Sequence, residues 1–533
     1  MANKLQTSVP NRITDYVLQY AQQTPNNVAL VFNGQRVNYK ELNRRIDECS
    51  KALLNIGVVK GDRVAMLCTP GPKFYTVFLA TVGIGAIWIG LNPKYSLAEY
   101  QYAIEDARPK VLFTMSEFEQ RNYTKDVLTL YQENDFLEYL VATHSPIEGA
   151  INYPNFLANT LSIKKNTYIT AVQSVASEDP ALIVYTSGTT GRPKGAVLSH
   201  YGLCFGAKIQ SQHFKISEPS IICNMPINHV ACIADICCTT LVAGGTIHFQ
   251  ESFNPTLMLK TIEDEKIKIW AGVPTMFLLQ LNLPSYSDFD SSSVQIILWG
   301  GSAMPEQSIK QLQKTGARLK VLYGMTETSA HTIYSAENAT LEDLRDSIGF
   351  PEQQMPCRIV NQQGIDCKRG EQGEIQFKGN YLMLRYFNQP ESTKLAFTED
   401  GWFHTGDVAC WRNDGSVALV GRMSDMYKSG GYNVYPREIE RFLETLPIVD
   451  ISIVVSVNDP IFQQVGIAFM TLIKGNIPTS QELKSLCQNS LANYKIPKRF
   501  YIIKKMPMLP IGKIDKAKLK KLAMANINLE DQN

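Results

Sequence analysis

Short apolar runs alternate with helical stretches along most of this chain, and this alternation constrains the fold more than any other feature. Arg63–Leu67 and Val111–Thr114 have the length and composition of strands, and residues 97–105 between them show helical periodicity. Repeated strand–helix–strand units predict α/β layers around mostly parallel sheets. The other strand-like runs are residues 28–32, 86–89, 139–142, 221–225, 246–249, 269–273, 296–299 and 319–323.

The pattern changes twice toward the C-terminus. Past residue 355 the strands become shorter and are separated by turns, which predicts a β-rich subdomain. From Met426 onward, helices and strands form a unit long enough to fold alone as a small α+β domain. We therefore expect an α/β fold with a large N-terminal domain over residues 1–424 and a small C-terminal domain over residues 425–533. Because no long linker separates the two domains, we expect a hinge between them.

Composition and charge exclude several classes of protein. With 44% hydrophobic and 19% charged residues, the chain has the composition of a folded soluble protein. A net charge of +2 gives no general attraction to nucleic acid. The segment from Met426 onward carries more basic than acidic residues, which suits a domain that handles an anionic substrate and equally suits a solvated surface.

The apolar segment over residues 74–91 is long enough to cross a membrane and contains no charged side chain. Its glycines and the Asn92-Pro93 stop favour a buried helix followed by a short strand instead. We therefore expect no spanning segment. Association with a membrane surface stays open, as does a homodimer.

Eleven cysteines are scattered along the chain without a Cys-x-x-Cys pair, and no secretory leader is visible at the start. Reduced thiols in a cytoplasmic protein are the expected state. Cys232, Cys237 and Cys238 lie near His229, but their spacing matches no usual zinc pattern and the segment is apolar. We interpret them as buried packing thiols.

The most informative motif is residues 185–195, which read Tyr-Thr-Ser-Gly-Thr-Thr-Gly-Arg-Pro-Lys-Gly between two strand-like runs. Gly188 and Gly191 let the backbone approach a ligand, the hydroxyls donate hydrogen bonds and Lys194 adds positive charge. A polyphosphate uses all of these features at once. The motif is not a Walker A loop, because its lysine precedes a glycine and Pro193 suits a turn. The sequence therefore predicts a phosphate-binding loop.

Two further strand-like runs end in turns that suit a nucleotide. Residues 300–305 read Gly-Gly-Ser-Ala-Met-Pro, and two glycines at a strand end let a flat ring lie against the backbone. Tyr323 can stack on a ring, and Glu327 can hold a Mg²⁺ ion that bridges nucleotide phosphates. Each signal is weak alone, since a single glutamate after a strand is commonly a solvated cap.

Three motifs nearer the C-terminus add charge. Asp407 follows a glycine turn and can accept both hydroxyls of a ribose, although a turn residue that caps its own backbone would look the same. Arg422 can supply a cation to the same sugar. Lys513, on a glycine turn after two prolines, can enter a cleft and neutralise charge on a phosphoryl group. Residues 428–440 join a glycine turn to a helix that begins at Pro436.

Taken in order, these motifs resemble those of the adenylate-forming superfamily, which contains acyl-CoA synthetases, adenylation domains of peptide synthetases and luciferases. The resemblance runs from about Asn38 to Lys521, and the motif at residues 185–195 is its most specific part. It implies a first half-reaction in which a carboxylate attacks the α-phosphate of MgATP to give acyl-AMP and pyrophosphate. Positioning and charge neutralisation do most of that work.

The resemblance also implies a role for each motif. Glu327 would bind Mg²⁺, Asp407 and Arg422 would bind the ribose, and Lys513 would be the catalytic lysine. Thr186 and His229 complete the expected catalytic set, with His229 beside the acyl pocket. The phosphate-binding residues would be Thr186, Ser187, Gly188, Thr189, Thr190, Gly191 and Lys194; the adenine side Gly301, Ser302, Ala303, Tyr323, Gly324, Met325, Thr326 and Leu419; and the coenzyme A face Lys428, Gly430 and Gly431.

In that superfamily the small domain swings about the hinge between the two half-reactions. Here the swing would withdraw Lys513 and present residues 428–432 to a pantetheine thiol, which attacks the acyl-AMP to give a thioester. The hinge position commonly carries Asp or Lys, whereas this chain has Ser424. The departure concerns the energetics of the hinge and not the reaction.

The acid and the acceptor are less well defined. Amino-acid-activating relatives hold the substrate ammonium with an acidic residue just after the His229 position, where this chain has Val230 and Ala231, with Asp235 further on. This weakens the amino-acid alternative without excluding it. The pocket candidates are mostly apolar, which predicts a fatty or aromatic acid, and Trp299 would shorten the pocket. No carrier domain follows the small domain, so free coenzyme A is the expected acceptor. The pocket candidates are His229, Ala231, Trp299, Gly300, Met325 and Thr328.

We therefore expect an acid–CoA ligase that uses ATP, Mg²⁺ and coenzyme A. Two enzyme alternatives remain open: an acyl-AMP ligase that loads a separate carrier protein, and a stand-alone amino-acid adenylating enzyme. A non-catalytic nucleotide-binding scaffold is a third alternative, and the complete set of Lys513, Glu327, Asp407 and Arg422 argues against it.

Overall fold

The predicted α/β fold is confirmed by a computed structural model that describes residues 11–158, 163–186, 193–473, 477–488, 490–509 and 514–530. Two large sheets form most of the N-terminal domain. A four-stranded antiparallel sheet follows them, and a five-stranded sheet forms the centre of the C-terminal domain. This order matches the predicted sequence of α/β layers, β-rich subdomain and small α+β domain.

The first large sheet has nine strands, and six consecutive strands in it are parallel to one another. Parallel strands of this kind are buried on both faces, which explains their continuous apolar composition. In spatial order the strands are Phe350–Pro351, His331–Tyr334, Arg318–Gly324, Ile296–Gly300, Ile269–Gly272, Ser220–Cys223, Thr246–Phe249, Val28–Phe32 and Gln35–Asn38.

The second large sheet has eight strands and is antiparallel only at the edge that holds the predicted phosphate-binding motif. There Pro180–Thr186 pairs with Lys194–Ser199, and Thr186 lies opposite Lys194. The motif therefore closes a β-hairpin, as its flanking apolar runs predicted. In spatial order the strands are Arg385–Tyr386, Lys194–Ser199, Pro180–Thr186, Ile87–Leu91, Arg63–Leu67, Val111–Thr114, Tyr139–Ala142 and Ile151–Asn152.

The two smaller sheets and a short ribbon complete the strands. The β-rich subdomain contains Cys357–Val360, Gln372–Phe377, Phe403–Trp411 and Val417–Arg422. The C-terminal sheet contains Tyr432–Val434, Tyr427–Ser429, Gln463–Leu472, Val449–Asp459 and Arg499–Ile502. The ribbon pairs Glu117–Phe118 with Arg121–Asn122. A single 3₁₀ turn, Met423–Asp425, joins the β-rich subdomain to the C-terminal sheet, at the predicted hinge.

Helices cover both faces of the large sheets and pack beside the C-terminal sheet. The α-helices are Ile13–Gln23, Tyr39–Asn55, Pro72–Gly83, Leu97–Ala107, Thr124–Glu133, Tyr153–Ala158, Lys165–Gln173, His200–Phe214, Thr239–Val242, Pro255–Asp264, Pro274–Leu281, Glu306–Gln313, Leu341–Asp346, Pro390–Leu395, Pro436–Glu444, Ser480–Gln488 and Lys516–Glu530. Ala231–Cys238 is a π-helix, and Pro284–Asp288, Thr326–Thr328 and Asn493–Lys495 are further 3₁₀ turns.

The long apolar segment forms core structure, as predicted. The helix Pro72–Gly83 begins at a proline, is buried along nearly its whole length and leads into the fully buried strand Ile87–Leu91. Phe74 packs against Trp88 with ring centres 5.5 Å apart. Among the described residues, none of the helices has the length and apolar character that crossing a membrane requires.

The cysteines near His229 are buried, in agreement with their interpretation as packing thiols. The structure adds Cys223, which the sequence did not connect with them. Its sulfur lies 3.5 Å from Cys232 Sγ and 3.8 Å from Cys237 Sγ. Burial raises the pKa of the Cys232 and Cys237 thiols well above their usual range, whereas hydrogen bonds from these two thiols outweigh burial at Cys223 and lower its pKa.

Candidate active site

A cavity of about 1090 Å³ lies where the parallel strands of both large sheets end. In α/β folds this edge of the sheet is where ligands bind, because the loops after the strands leave a crevice there. Twelve of the predicted site and pocket residues line the cavity. They are Thr186, Lys194, His229, Ala231, Trp299, Gly300, Gly301, Gly324, Met325, Thr326, Glu327 and Arg422.

The phosphate-loop hairpin is connected to Glu327 by one aromatic side chain. Lys194 Nζ lies 5.0 Å from the centre of the Tyr386 ring, and the Tyr386 hydroxyl donates to Glu327 Oε1 at 2.9 Å. Burial, followed by the Glu327 charge, raises the pKa of Tyr386 above its usual range, so this hydroxyl stays a donor. Ser187, Gly188, Thr189, Thr190 and Gly191 lie outside the described residues. The end of the hairpin therefore places the Lys194 ammonium near the Glu327 carboxylate, with the Tyr386 ring between them.

Asp407 is held between two predicted partners. The Tyr323 hydroxyl donates to Asp407 Oδ2 at 2.7 Å, and Arg422 Nε lies 3.0 Å from Oδ1. The carboxylate of Asp407 is therefore held at both oxygens, and it is almost fully buried. Burial raises the pKa of Asp407, and the Arg422 charge opposes that rise. A carboxylate oxygen has more than one acceptor position, so Asp407 can still accept a hydrogen bond from a ligand hydroxyl.

Tyr323 and Asp407 themselves lie just behind the cavity wall. Gly406 and Arg422 line the cavity beside Asp407, whereas Tyr323 is buried with its ring 6.3 Å from Phe377. The structure thus gives Tyr323 an anchoring contact to Asp407, and its stacking on a nucleotide ring stays a prediction.

The predicted acyl wall is mostly in place. His229, Ala231, Trp299 and Met325 line one region of the cavity, and the Ala231 amide donates to His229 Nδ1 at 3.1 Å. Thr328 does not line the cavity, because its hydroxyl is turned to the backbone and donates to the Ala330 carbonyl at 2.7 Å.

The expectation of an apolar wall is incomplete, because Gln210, Asp235 and His331 also line the cavity. Asp235 lies on the π-helix Ala231–Cys238, a helix type that is frequent at functional sites. The sequence indicated Asp235 only as an acidic residue further along from the ammonium-binding position, and the structure places it at the cavity wall. Gln210 and His331 carried no such signal, since nothing local places them beside a ligand.

Several predicted residues lie away from the cavity lining. Ser302 and Ala303 are exposed just beyond Gly301, and Leu419 is partly buried on the strand Val417–Arg422. The predicted coenzyme A face, Lys428, Gly430 and Gly431, is exposed and also does not line the cavity. Gly430 and Gly431 have φ values of 57° and 88°, which only glycine adopts without strain in a tight turn.

The predicted catalytic lysine, Lys513, lies outside the described residues. The segment that leads to it reaches the site, because Leu509 lines the cavity. On the other side of the hinge, Lys516 Nζ forms an ion pair with Asp425 at 2.8 Å. In the C-terminal domain, Leu509 therefore contacts the cavity, and Lys516 contacts the hinge residue Asp425.

The chain is similar to known proteins over nearly its whole length. The AMP-binding enzyme family model matches residues 17–387, and the model of the AMP-binding enzyme C-terminal domain matches residues 438–513. The human mitochondrial medium-chain acyl-CoA ligase ACSF2 is 31% identical over 96% of this chain and 87% of its own length. The feruloyl-CoA synthase of an Amycolatopsis species is 30% identical over 94% of this chain and 97% of its own length.

A solved structure gives the same result for the fold. The o-succinylbenzoate CoA synthetase of Bacillus subtilis, in complex with an acyl-adenylate intermediate, superposes with a TM-score of 0.77 and 26% identity over 95% of this chain and 97% of its own. The predicted boundary between residues 424 and 425 stays a prediction, and it falls between the two matched segments. With 371 matched residues in the first segment alone (387 − 17 + 1), the chain belongs to the AMP-binding enzyme family.

Proposed function

We propose that this chain is an acid–CoA ligase. It activates a hydrophobic carboxylic acid with MgATP to acyl-AMP and pyrophosphate, and then transfers the acyl group to coenzyme A. The observation that carries this proposal is that one cavity is lined by Lys194, Glu327 and Arg422 together with an apolar wall that includes Trp299. A polyanion and an apolar acid can therefore lie side by side. Reaction of the acid, ATP and coenzyme A should give AMP and thioester in equal amounts.

The polar side of the cavity suits the nucleotide. The Asp407 carboxylate lies just behind Gly406 and Arg422 at the cavity wall, where it can accept from a ribose hydroxyl. Arg422 fixes the orientation of that carboxylate. Gly300 and Gly301 leave a surface without Cβ atoms at the end of a strand, where the flat adenine ring can lie.

The donor set around Glu327 fits Mg²⁺, a hard cation that prefers carboxylate oxygen. Tyr386 occupies Oε1 of Glu327, which fixes the carboxylate and leaves Oε2 as the oxygen to bind the ion. When bound, Mg²⁺ would neutralise phosphate charge during phosphoryl transfer. Lys194 Nζ lies over the ring of Tyr386, 5.0 Å from its centre, and would add a second positive charge near the phosphates.

Catalysis then rests on position and charge, since no nucleophilic side chain is needed. The acid's carboxylate attacks the α-phosphorus, the bond to the β-phosphate oxygen breaks, and pyrophosphate leaves with the electron pair. Contacts of the ribose with Asp407 and Arg422 would hold the α-phosphate next to the carboxylate of the acid. The attack then resembles a reaction within one molecule. Lys513 would neutralise the charge that develops on the phosphoryl group.

The thioester step needs a different arrangement of the small domain. Lys428, Gly430 and Gly431 are exposed and do not line the cavity in this structure, whereas Leu509 does. We infer that the structure is in the adenylation arrangement and that rotation at Met423–Asp425 brings the glycine turn to the cavity.

The acid we propose is a monocarboxylic acid with an apolar body of fatty or aromatic type. Relatives named medium-chain acyl-CoA ligase and feruloyl-CoA synthase support both kinds of body. For the amino-acid alternative, the Asp235 carboxylate in the cavity wall is a candidate to bind the substrate ammonium. His331 Nδ1 already lies 3.4 Å from that carboxylate, which disfavours this role. The acceptor could also be a carrier protein, which the same exposed glycine turn would serve.

Replacing Trp299 by Gly should shift the preference of the enzyme toward longer acids. Trp299 is 1% exposed and lines the cavity, so its removal opens space that a longer acyl chain can fill. The measurement is kcat/KM across saturated acids of increasing length, with the preference expressed as a ratio within each variant so that partial unfolding cancels.

The matched control is Trp270→Gly, because Trp270 is equally buried on the neighbouring strand and does not line the cavity. Both variants should lose about 3–5 kcal/mol of stability. Only Trp299→Gly should change the acid length at which kcat/KM is highest. An unchanged optimum in Trp299→Gly would show that another residue sets the length of the pocket.

We also propose a cytoplasmic location. All eleven cysteines are unpaired, and eight of them are buried, which suits a reducing compartment. Fractionation of cells that express the full chain would test this proposal.

A further inference from the structure

The cavity contains a polar cluster to which the proposed adenylation reaction gives no role. Gln210, Asp235 and His331 meet at its wall, from three segments that are far apart in the sequence. His331 Nδ1 lies 2.9 Å from Gln210 Oε1 and 3.4 Å from Asp235 Oδ1. Gln210 Nε2 donates to the Asp235 carbonyl oxygen at 2.9 Å.

These contacts fix the proton of the His331 ring. A backbone carbonyl only accepts, so the Gln210 amide must turn its nitrogen toward Asp235 and its oxygen toward His331. The Nδ1 atom of His331 therefore carries a hydrogen. In the neutral ring, Nε2 is then left with a free lone pair.

That second nitrogen belongs to a residue that lines the cavity. Nε2 of His331 lies 3.5 Å from the position that a Cβ would take on Gly300, which also lines the cavity. Within the part of the chain that the structure describes, Nε2 makes no hydrogen bond. A Cβ at Gly300 would also lie 2.8 Å from the Leu322 carbonyl oxygen, so a glycine is needed beside this nitrogen at the cavity wall.

Close packing keeps the cluster in place. A Cβ on Gly206 would lie 2.2 Å from Ala330 Cβ, so the helix His200–Phe214 packs directly on the turn that precedes His331. This contact holds Gln210, one turn further along the helix, against the histidine. Gln210 is 4% exposed, and the side chains of Asp235 and His331 are 12% and 15% exposed.

A purely apolar acid would cover this cluster and leave the Asp235 carboxylate and His331 Nε2 without hydrogen-bond partners from the ligand. A hydroxyl group avoids that cost, because it can donate to either atom and also accept from a protonated ring. We propose that Gln210, Asp235 and His331 recognise a hydroxyl group on the apolar body of the acid. This inference rests on the proposed acid–CoA ligase function and specifies its substrate as a hydroxylated hydrophobic acid.

The test compares matched acids with and without one hydroxyl group. The panel holds benzoate and cinnamate with their 2-, 3- and 4-hydroxy isomers, and medium-chain fatty acids with their hydroxylated counterparts. At least one hydroxylated acid should exceed its parent in kcat/KM by about tenfold or more. His331→Leu should abolish this ratio, and Asp235→Asn, which keeps the shape of the side chain, should reduce it.

The control variant is His213→Leu, which removes another histidine paired with a carboxylate, 3.0 Å from Glu352 and outside the cavity lining. It should keep the hydroxyl preference of the unmodified enzyme. Should His331→Leu fail to fold, Asp235→Asn and the acid panel on the unmodified enzyme still decide the question. An enzyme that prefers each parent acid, or whose preference survives both His331→Leu and Asp235→Asn, overturns the inference alone. Failure to activate any acid would overturn the proposed function as well.

Discussion

Replacing Lys513 by Ala should abolish acyl-AMP formation and leave thioester formation from supplied acyl-AMP nearly intact. The expected loss in acid-dependent ATP–pyrophosphate exchange is about 100- to 1000-fold, as for removal of one preorganised charge from a phosphoryl or oxyanion site. The second half-reaction should survive because it uses the exposed turn at Gly430 and Gly431. Measuring both half-reactions on the same preparation separates the two effects.

The matched control for that experiment is Lys518→Ala. Lys518 is an exposed lysine on the helix Lys516–Glu530, only a few residues from position 513. Its removal should leave both half-reactions unchanged. If exchange persists in Lys513→Ala, the lysine has no role in adenylation. If both half-reactions fail in a folded variant, its role is not confined to the first step.

Replacing Glu327 by Gln should lower acyl-AMP formation by about a hundredfold and raise the Mg²⁺ concentration at which the rate is half-maximal. The substitution keeps the shape of the side chain and removes the charge that would bind the ion. The amide oxygen of Gln can still accept from Tyr386, so the fold should be retained. Exchange rates across a Mg²⁺ series provide the measurement.

Glu342→Gln serves as the control, because Glu342 is an exposed glutamate of the helix Leu341–Asp346 that does not line the cavity. Its Mg²⁺ dependence should match that of the unmodified enzyme. A Glu327→Gln variant with unchanged Mg²⁺ dependence would place the ion on other ligands. In that case Glu327 would act only through its contact with Tyr386.

Most of the fold could be predicted because its signals are local. Val111–Thr114 and Thr246–Phe249 are apolar runs of strand length bounded by turns, and both strands have the predicted bounds. The segment at residues 74–91 could be separated from a membrane span because its glycines and following proline mark a helix–strand boundary. The phosphate-loop hairpin followed from the two apolar runs around it.

The parts of the site that could not be predicted depend on contacts between distant segments. Tyr386 joins Glu327 across 59 residues, and His331 meets Gln210 across 121 residues. Such pairs follow from the order of strands in the sheets and from close helix packing at Gly206, which no local pattern encodes. The π-helix that contains Asp235 is similarly invisible, because its apolar composition equally fits an α-helix.

The most direct test of the proposed ligase is pyrophosphate release with MgATP across a panel of acids, with and without coenzyme A. The panel should contain fatty acids of increasing length, benzoate- and cinnamate-type acids and several amino acids. We expect sustained turnover only when a hydrophobic acid and coenzyme A are both present, with one thioester formed for each pyrophosphate. Turnover that is independent of coenzyme A, or that requires an amino acid, would contradict an acid–CoA ligase, and the absence of turnover with every acid would exclude the adenylation reaction itself.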